Sequence, residues 1–252
     1  MALAAPFFLR RINIYCKGTE SLTMRNTILV ANQNNNQHKR YSYVVFSLCL
    51  ALLFPAVPVL AGTPGRCSYQ TYQWNTRQKR AVHIRRAEHA YGELKTNQVD
   101  AGSGCSVCEQ DQAWVKLPGV TPFRLCRHVA KRVEKVLTKL IALGFPIHSA
   151  VGYRVGMTRG PVDNEGNRTR FSNHSFGIAL DINSQQNGLY DRCITFGPQC
   201  RLIRGGAWQP GRAGTLRAGG PMVTALQALG LHWGGEIAGR QKDFMHFSPS
   251  GY

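Results

Sequence analysis

Acidic side chains are scarce in this chain. Thirteen Asp and Glu stand against 31 Lys and Arg over 252 residues, a formal net charge of +18. Beyond Ala61 there are 25 basic and 12 acidic residues, so an excess of +13 belongs to the body of the chain. Such a surface favours polyanions: nucleic acid, anionic lipid or an anionic polymer of the cell envelope. No aromatic-and-basic repeat or nucleic-acid-binding motif accompanies the charge. Nucleic acid is therefore not the expected partner, and the envelope polymer is. The long apolar run, Val44 to Ala61, is interrupted by Pro55 and Pro58, which weakens it as a membrane-spanning helix. An apolar content of 43% over this length still supplies a proper core, for one large domain or two small ones.

Residues 1–42 are polar and pass through Asn32-Gln33-Asn34-Asn35-Asn36-Gln37, a composition that buries too little surface to order itself. Lys39-Arg40, the apolar run and the small-residue ending Val59-Leu60-Ala61 have the form of a secretory signal. Residues 1–61 are thus read as a leader and the protein as exported, periplasmic or extracellular. The alternative is a membrane anchor at residues 43–61. A start at Met24 gives a leader of more ordinary length, which makes residues 1–23 an upstream extension. Phe46-Ser47-Leu48 before Cys49 does not suit a lipoprotein cleavage site.

Six cysteines follow Ala61: Cys67, Cys105, Cys108, Cys126, Cys193 and Cys200. An even count in an exported chain argues for disulfides, with 15 connectivities open to six thiols. Cys193 and Cys200 flank a Phe196-Gly197-Pro198 turn and form the expected local pair. Cys105-x-x-Cys108 has the spacing of half a structural zinc site, but no second pair at matching spacing supports that alternative.

Residues 62–123 read as a loop-rich, cysteine-containing extension with a short helix over Arg80–Leu94, and residues 124–252 as the main domain. Leu125, Val129, Val133, Val136, Leu137, Leu140 and Ile141 recur at helical spacing, and Gly144 and Pro146 end that helix. A strand is expected over Ile147–Val155, a polar loop over Gly156–Thr169, and a second strand over Gly177–Ile182. In that second strand Asp181 faces away from Ile178, Leu180 and Ile182. Residues 184–220 read as irregular, Pro221–Leu229 as a short helix and Phe244–Ser248 as a closing strand. Helices and strands do not alternate regularly, so the expected class is α+β with a small central antiparallel sheet flanked by helices.

Two stretches carry the chemistry. Ser172-Asn173-His174-Ser175-Phe176-Gly177-Ile178-Ala179-Leu180-Asp181 offers an imidazole and a carboxylate seven positions apart, and Asp243-Phe244-Met245-His246-Phe247 offers another such pair. An open catalytic zinc site needs three protein ligands, and His174, Asp181 and His246 supply them. A carboxylate three residues before a ligand can sit beside the metal, which nominates Asp243 as general base, with Glu236 as its rival. Arg154 is placed to steady an oxyanion or clamp a substrate carboxylate. His83, His89, His128 and His148 lack a carboxylate at useful spacing and are read as structural. His232, beside Trp233-Gly234-Gly235, faces the cleft or supports a ligand.

The first stretch, Ser172-x-His174-x-x-Gly177-x-Ala179-x-Asp181, resembles the first zinc motif of the D-alanyl-D-alanine carboxypeptidase-like (VanY-type) metallopeptidases. Gly230-Leu231-His232-Trp233-Gly234-Gly235 with Asp243-Phe244-Met245-His246-Phe247 resembles the second. The resemblance covers Leu125 to Tyr252 and is nearest to the branch of L-alanyl-D-glutamate endopeptidases and phage endolysins. It implies a small α+β fold, Zn2+ on His174, Asp181 and His246, Asp243 as acid/base, and peptidoglycan peptides as substrate. Tyr153-Arg154 resembles the segment that supplies a substrate-side arginine; Tyr153, Ser172, His232 and Trp233 are the other substrate-side candidates. His232 departs from the pattern, standing where an aromatic residue is usual. Cleavage at L-Ala-D-Glu is favoured over release of D-Ala, because Gly234 and Gly235 leave room for an extended substrate. The other reading is a non-catalytic wall-binding module that keeps the zinc, although no ligand or base is missing.

Overall fold

In the computed structural model, which describes residues 65–252, the chain begins with two long strands, β1 (Arg66–Asn75) and β2 (Arg80–Ala90). They pair antiparallel from Arg66↔Ala90 to Asn75↔Arg80. Buried Asn75 closes the turn, its Oδ1 accepting from the Arg77 and Gln78 amides at 3.0 and 2.8 Å, a local bond that favours Asn at such turns. The helix expected over Arg80–Leu94 is therefore corrected to a strand. Pairing with β1 decides the conformation, since strand preference depends on what lies alongside. A second hairpin, β3 (Gln112–Leu117) and β4 (Val120–Cys126), follows, so the extension is built on strands where loops were expected. The leader and Cys49 lie outside the described residues.

Helix α1 (Arg127–Ala142) follows β4 directly and buries Ala130, Val133, Leu137 and Leu140 along one stripe. Shortening one of those leucines to Ala typically costs about 2–5 kcal/mol. The Phe145 amide reaches back to the Leu140 carbonyl at 2.9 Å and closes the helix. The strand expected over Ile147–Val155 shrinks to β5 (Ala150–Val151). The expected polar loop is a hairpin of β6 (Met157–Val162) and β7 (Arg168–Phe171), and β6 adds to β1 at Gln73↔Met157. Its turn is organised by Asp163, whose Oδ1 accepts from the Glu165 and Asn167 amides. Polar side chains thus mark the turn correctly but hide the strands on either side.

The remaining elements are β8 (Leu180–Ile182), β9 (Leu189–Asp191), β10 (Arg201–Arg204), α2 (Pro221–Gln227), β11 (His232–Trp233), β12 (Gln241–Asp243) and β13 (His246–Ser248). β9 and β10 fall within the stretch expected to be irregular; with β12 they make a three-stranded sheet. The central sheet is antiparallel throughout, in the order β11-β13-β8-β5. Leu180, Ile182 and Phe247 are fully buried on one face and join the cluster that holds Leu137 of α1 and Leu226 of α2. Strand alternation turns Asp181 and His246 to the other face. The register sets them directly opposite each other. Among the described residues no helix is long and apolar enough to cross a membrane.

Three disulfides join Cys67 to Cys108, Cys105 to Cys126, and Cys193 to Cys200. The local pair is the expected one. The Cys105-x-x-Cys108 pair sends its two sulfurs to different partners, which removes the structural-zinc alternative. The first two disulfides sit in a second buried cluster with Val107, Val155, Phe176 and Ile178. The extension therefore packs behind the turn that carries His174.

Candidate metal centre

His174 lies in a single 3-10 turn, Asn173–Phe176, between Ser172 and Gly177. Gly177 ends the turn at φ 67°, and a side chain there would collide with Gln112 Oε1 and the Cys126 amide nitrogen. The Cys126 amide donates to the Gly177 carbonyl at 2.8 Å. Gln112 of the extension thus limits the turn's space, and Cys126, at the end of β4, holds its backbone. Ser172 is buried, with its Oγ 3.5 Å from Ser175 Oγ, and Ser175 is bonded in turn to the backbone of Gly156.

The imidazole of His174 has its tautomer set by the fold. Its Nδ1–H donates to the Gly152 carbonyl at 2.8 Å, which leaves Nε2 as a bare lone pair. Burial depresses the basicity of His174, against the pull of Asp181. His174 Nε2 lies 3.2 Å from Asp181 Oδ1 and 3.2 Å from His246 Nδ1, and the latter two are 2.9 Å apart. Burial opposes the charge on Asp181, but the two imidazoles outweigh it and hold the carboxyl well below the ordinary range. The other oxygen, Oδ2, accepts a 2.8 Å hydrogen bond from Arg154. That bond leaves Oδ1 turned toward the histidines.

Three buried donor atoms therefore converge within 4.8 Å of one another, close enough to hold a metal ion. Zinc bonds of 2.0–2.1 Å in a tetrahedral arrangement place neighbouring donors about 3.3 Å apart. The observed separations of 2.9–3.2 Å fit that requirement.

Asp243 is half-buried at the end of β12. Its Oδ1 is covered and has no hydrogen-bond partner among the described residues, and the same holds for His246 Nε2. Burial, then the charge of Asp181, push Asp243 up to about 6. A covered carboxylate oxygen without a partner is costly unless water, ion or substrate meets it. Glu236, the rival base, is exposed and bonded to Gln227 at 2.8 Å.

The other sequence candidates are placed less centrally. Tyr153 donates its hydroxyl to the Val107 carbonyl at 2.6 Å and packs under Arg124, tying the domain to its extension. His232 is exposed on the edge strand β11. Trp233 is buried, its indole N–H donating to the Phe244 carbonyl at 2.8 Å. The room attributed to Gly234 and Gly235 is taken by the protein itself. A side chain at Gly234 would strike the Asp243 carbonyl, and one at Gly235 the Trp233 ring. Arg159, on β6, has no counterpart in the sequence reading. It is half-buried, and burial pulls its guanidinium below the ordinary value, helped by Arg168 and Arg154 and opposed by Asp243 and Asp181. The only signal for it in the sequence is the basic character of the stretch around it.

A family model described as D-alanyl-D-alanine carboxypeptidase matches residues 165–249. The match takes in His174, Asp181, Asp243 and His246, and leaves out Arg154, Arg159 and the disulfide-bonded extension. No curated protein and no solved structure matches the chain. The matched region and the His-Asp-His cluster together identify a metallopeptidase.

Proposed function

We propose that this metallopeptidase is a zinc enzyme that cuts peptidoglycan stem peptides outside the cytoplasm, at the L-Ala-D-Glu bond in preference to the terminal D-Ala. The observation that carries the reading is the convergence of three buried donor atoms, with the half-buried Asp243 carboxylate in the field of Asp181 and His246. Two imidazoles and one carboxylate form the donor set of open catalytic zinc sites. Bound there, zinc supplies Lewis acidity that polarises a carbonyl and makes water a nucleophile near neutral pH. His174, Asp181 and His246 would hold it. Asp243 takes the proton of the attacking water and returns it to the leaving amine.

The two arginines have separate tasks. Arg154 is committed to Asp181 Oδ2 and orients that ligand. Arg159, in the field of both aspartates and without a salt-bridge partner among the described residues, reads a carboxylate on the substrate. D-Glu in a stem peptide and the terminal D-Ala both carry a free α-carboxylate next to the scissile bond, so this contact serves either substrate. Replacing Arg159 by Ala should raise KM about 10- to 100-fold, the worth of one charge-assisted hydrogen bond. Replacing Arg154 by Ala should weaken metal binding by a similar factor. Steady-state kinetics beside a metal titration checks both; the reverse pattern would exchange the two roles.

Export is supported by the basic-then-apolar leader and by three disulfides, which persist in oxidising compartments. The positive excess suits attachment to anionic envelope polymers. Incubation with a defined pentapeptide stem, followed by mass analysis, tests the reaction. Free L-Ala with a tetrapeptide beginning at D-Glu is expected. Free D-Ala as the only early product moves the cut to the other bond, and an intact peptide overturns the peptidase reading for this substrate.

A further inference from the structure

Beside β12, four aromatic residues wall a hollow of about 340 Å³: Phe196, Trp208, Trp233 and Phe244. Lys242 and Phe244 line it, while Asp243 between them does not, so the hollow and the carboxylate share one short stretch of chain. Trp208 stacks on Phe244 at 4.0 Å and 5°, and Phe196 stands edge-on to both at 4.8 and 5.4 Å. Phe196 is carried by the small loop that Cys193–Cys200 closes, and it remains 39% exposed. The rim carries charges of both signs, Glu236 against Arg217 and Lys242.

We propose that this hollow binds one pyranose ring of the glycan strand to which the stem peptide is attached, an inference that rests on the peptidoglycan reading above. Phe196 and Trp208 remain partly exposed and offer aromatic surface to the C–H face of a pyranose, whose hydrogens carry partial positive charge. The hydroxyls and acetamide of an N-acetylated sugar need both acceptors and donors, which Glu236 and Arg217 supply at the rim, Lys242 being held by the Ile237 carbonyl. A lipid tail would leave the Arg217 guanidinium unanswered. The volume falls near the lower end for small-molecule sites, enough for one ring and too little for a folded partner.

The placement also bears on which bond is cut. The L-Ala-D-Glu bond lies one residue from the sugar's lactyl group. The D-Ala-D-Ala bond is three residues further, about 10 Å of extended chain. A ring held against Lys242 and Phe244, the chain neighbours of Asp243, therefore favours the nearer bond.

The test uses the exported chain and two probes. Titration with soluble N-acetylglucosamine oligosaccharides should shift the fluorescence of the hollow's two indoles saturably. Phe196→Ala should weaken that binding at least tenfold, and Phe196→Trp should retain it. Hydrolysis is then compared on a sugar-linked stem peptide and on the same peptide without sugar. Phe196→Ala should raise KM for the first to that of the second and leave the second unchanged. No saturable shift in the unaltered chain, or equal effects of Phe196→Ala on both peptides, overturns the proposal. Sugar binding without cleavage of either peptide upholds the hollow and removes the peptidase reading; cleavage without sugar binding does the opposite.

Discussion

Asp243→Asn should cut turnover about 10²- to 10⁴-fold while the chain keeps its metal, the usual worth of a general base. Asparagine preserves the size of the side chain and its place at the end of β12, but it cannot accept a proton from water. The pH dependence separates this from mere disturbance. Burial and then Asp181 push the Asp243 carboxyl up to about 6, against the pull of His246, Arg159 and Arg154. An acid so raised is protonated below that value, so the rate should fall as pH drops toward it. A cation among the three donors favours the carboxylate and moves the fall downward, toward the ordinary Asp value near about 3.9. The metal-loaded enzyme should therefore lose activity between those two limits, and Asp243→Asn should lack that acid limb. Glu236→Gln, at an exposed side chain bonded to Gln227, should leave the profile on the sugar-free peptide unchanged. If Glu236→Gln fails and Asp243→Asn does not, the base is Glu236.

The metal donors are legible in the sequence because their residue types sit in two short stretches and strand alternation predicts the face of Asp181. Their meeting is not legible, since it depends on the register Asp181↔His246 across 65 residues. The same limit hides the extension's task. Cys67, Cys108 and Cys126 pack against Phe176 and Ile178 through contacts of long sequence separation, and 15 pairings of the cysteines look alike beforehand. β2 reads as a helix because its charged residues carry no alternation, and only β1 beside it decides otherwise. Arg159 is overlooked for a related reason: its hairpin is polar on both faces, so the period that announces a strand is absent. Gly234 and Gly235 mislead in the opposite direction. Missing side chains suggest space for a ligand, whereas close backbone and ring packing already uses it.

Removing the metal should have the larger effect, abolishing turnover and loosening the fold together. Without a cation, Asp181 Oδ1, His174 Nε2 and His246 Nδ1 remain within 3.2 Å of one another in a buried space. A proton can bridge only one of those contacts at a time. A metal at about a thousandfold excess over its Kd stabilises the folded chain by about 4 kcal/mol, so a chelator should lower Tm on the order of 10 °C for a domain of this size. His174→Ala should behave as the chelated protein does, with metal content and activity falling together, because it also removes the bond to the Gly152 carbonyl that orients the ring. His246→Ala should match it, since each supplies one of three donors and none is spare. Asp243→Asn is the control that separates chemistry from binding: its metal content and Tm should stay at the level of the unaltered chain. Metal analysis of the three purified variants decides the matter. One equivalent of zinc retained by His174→Ala would remove His174 from the donor set, and with it the convergence on which the site is built.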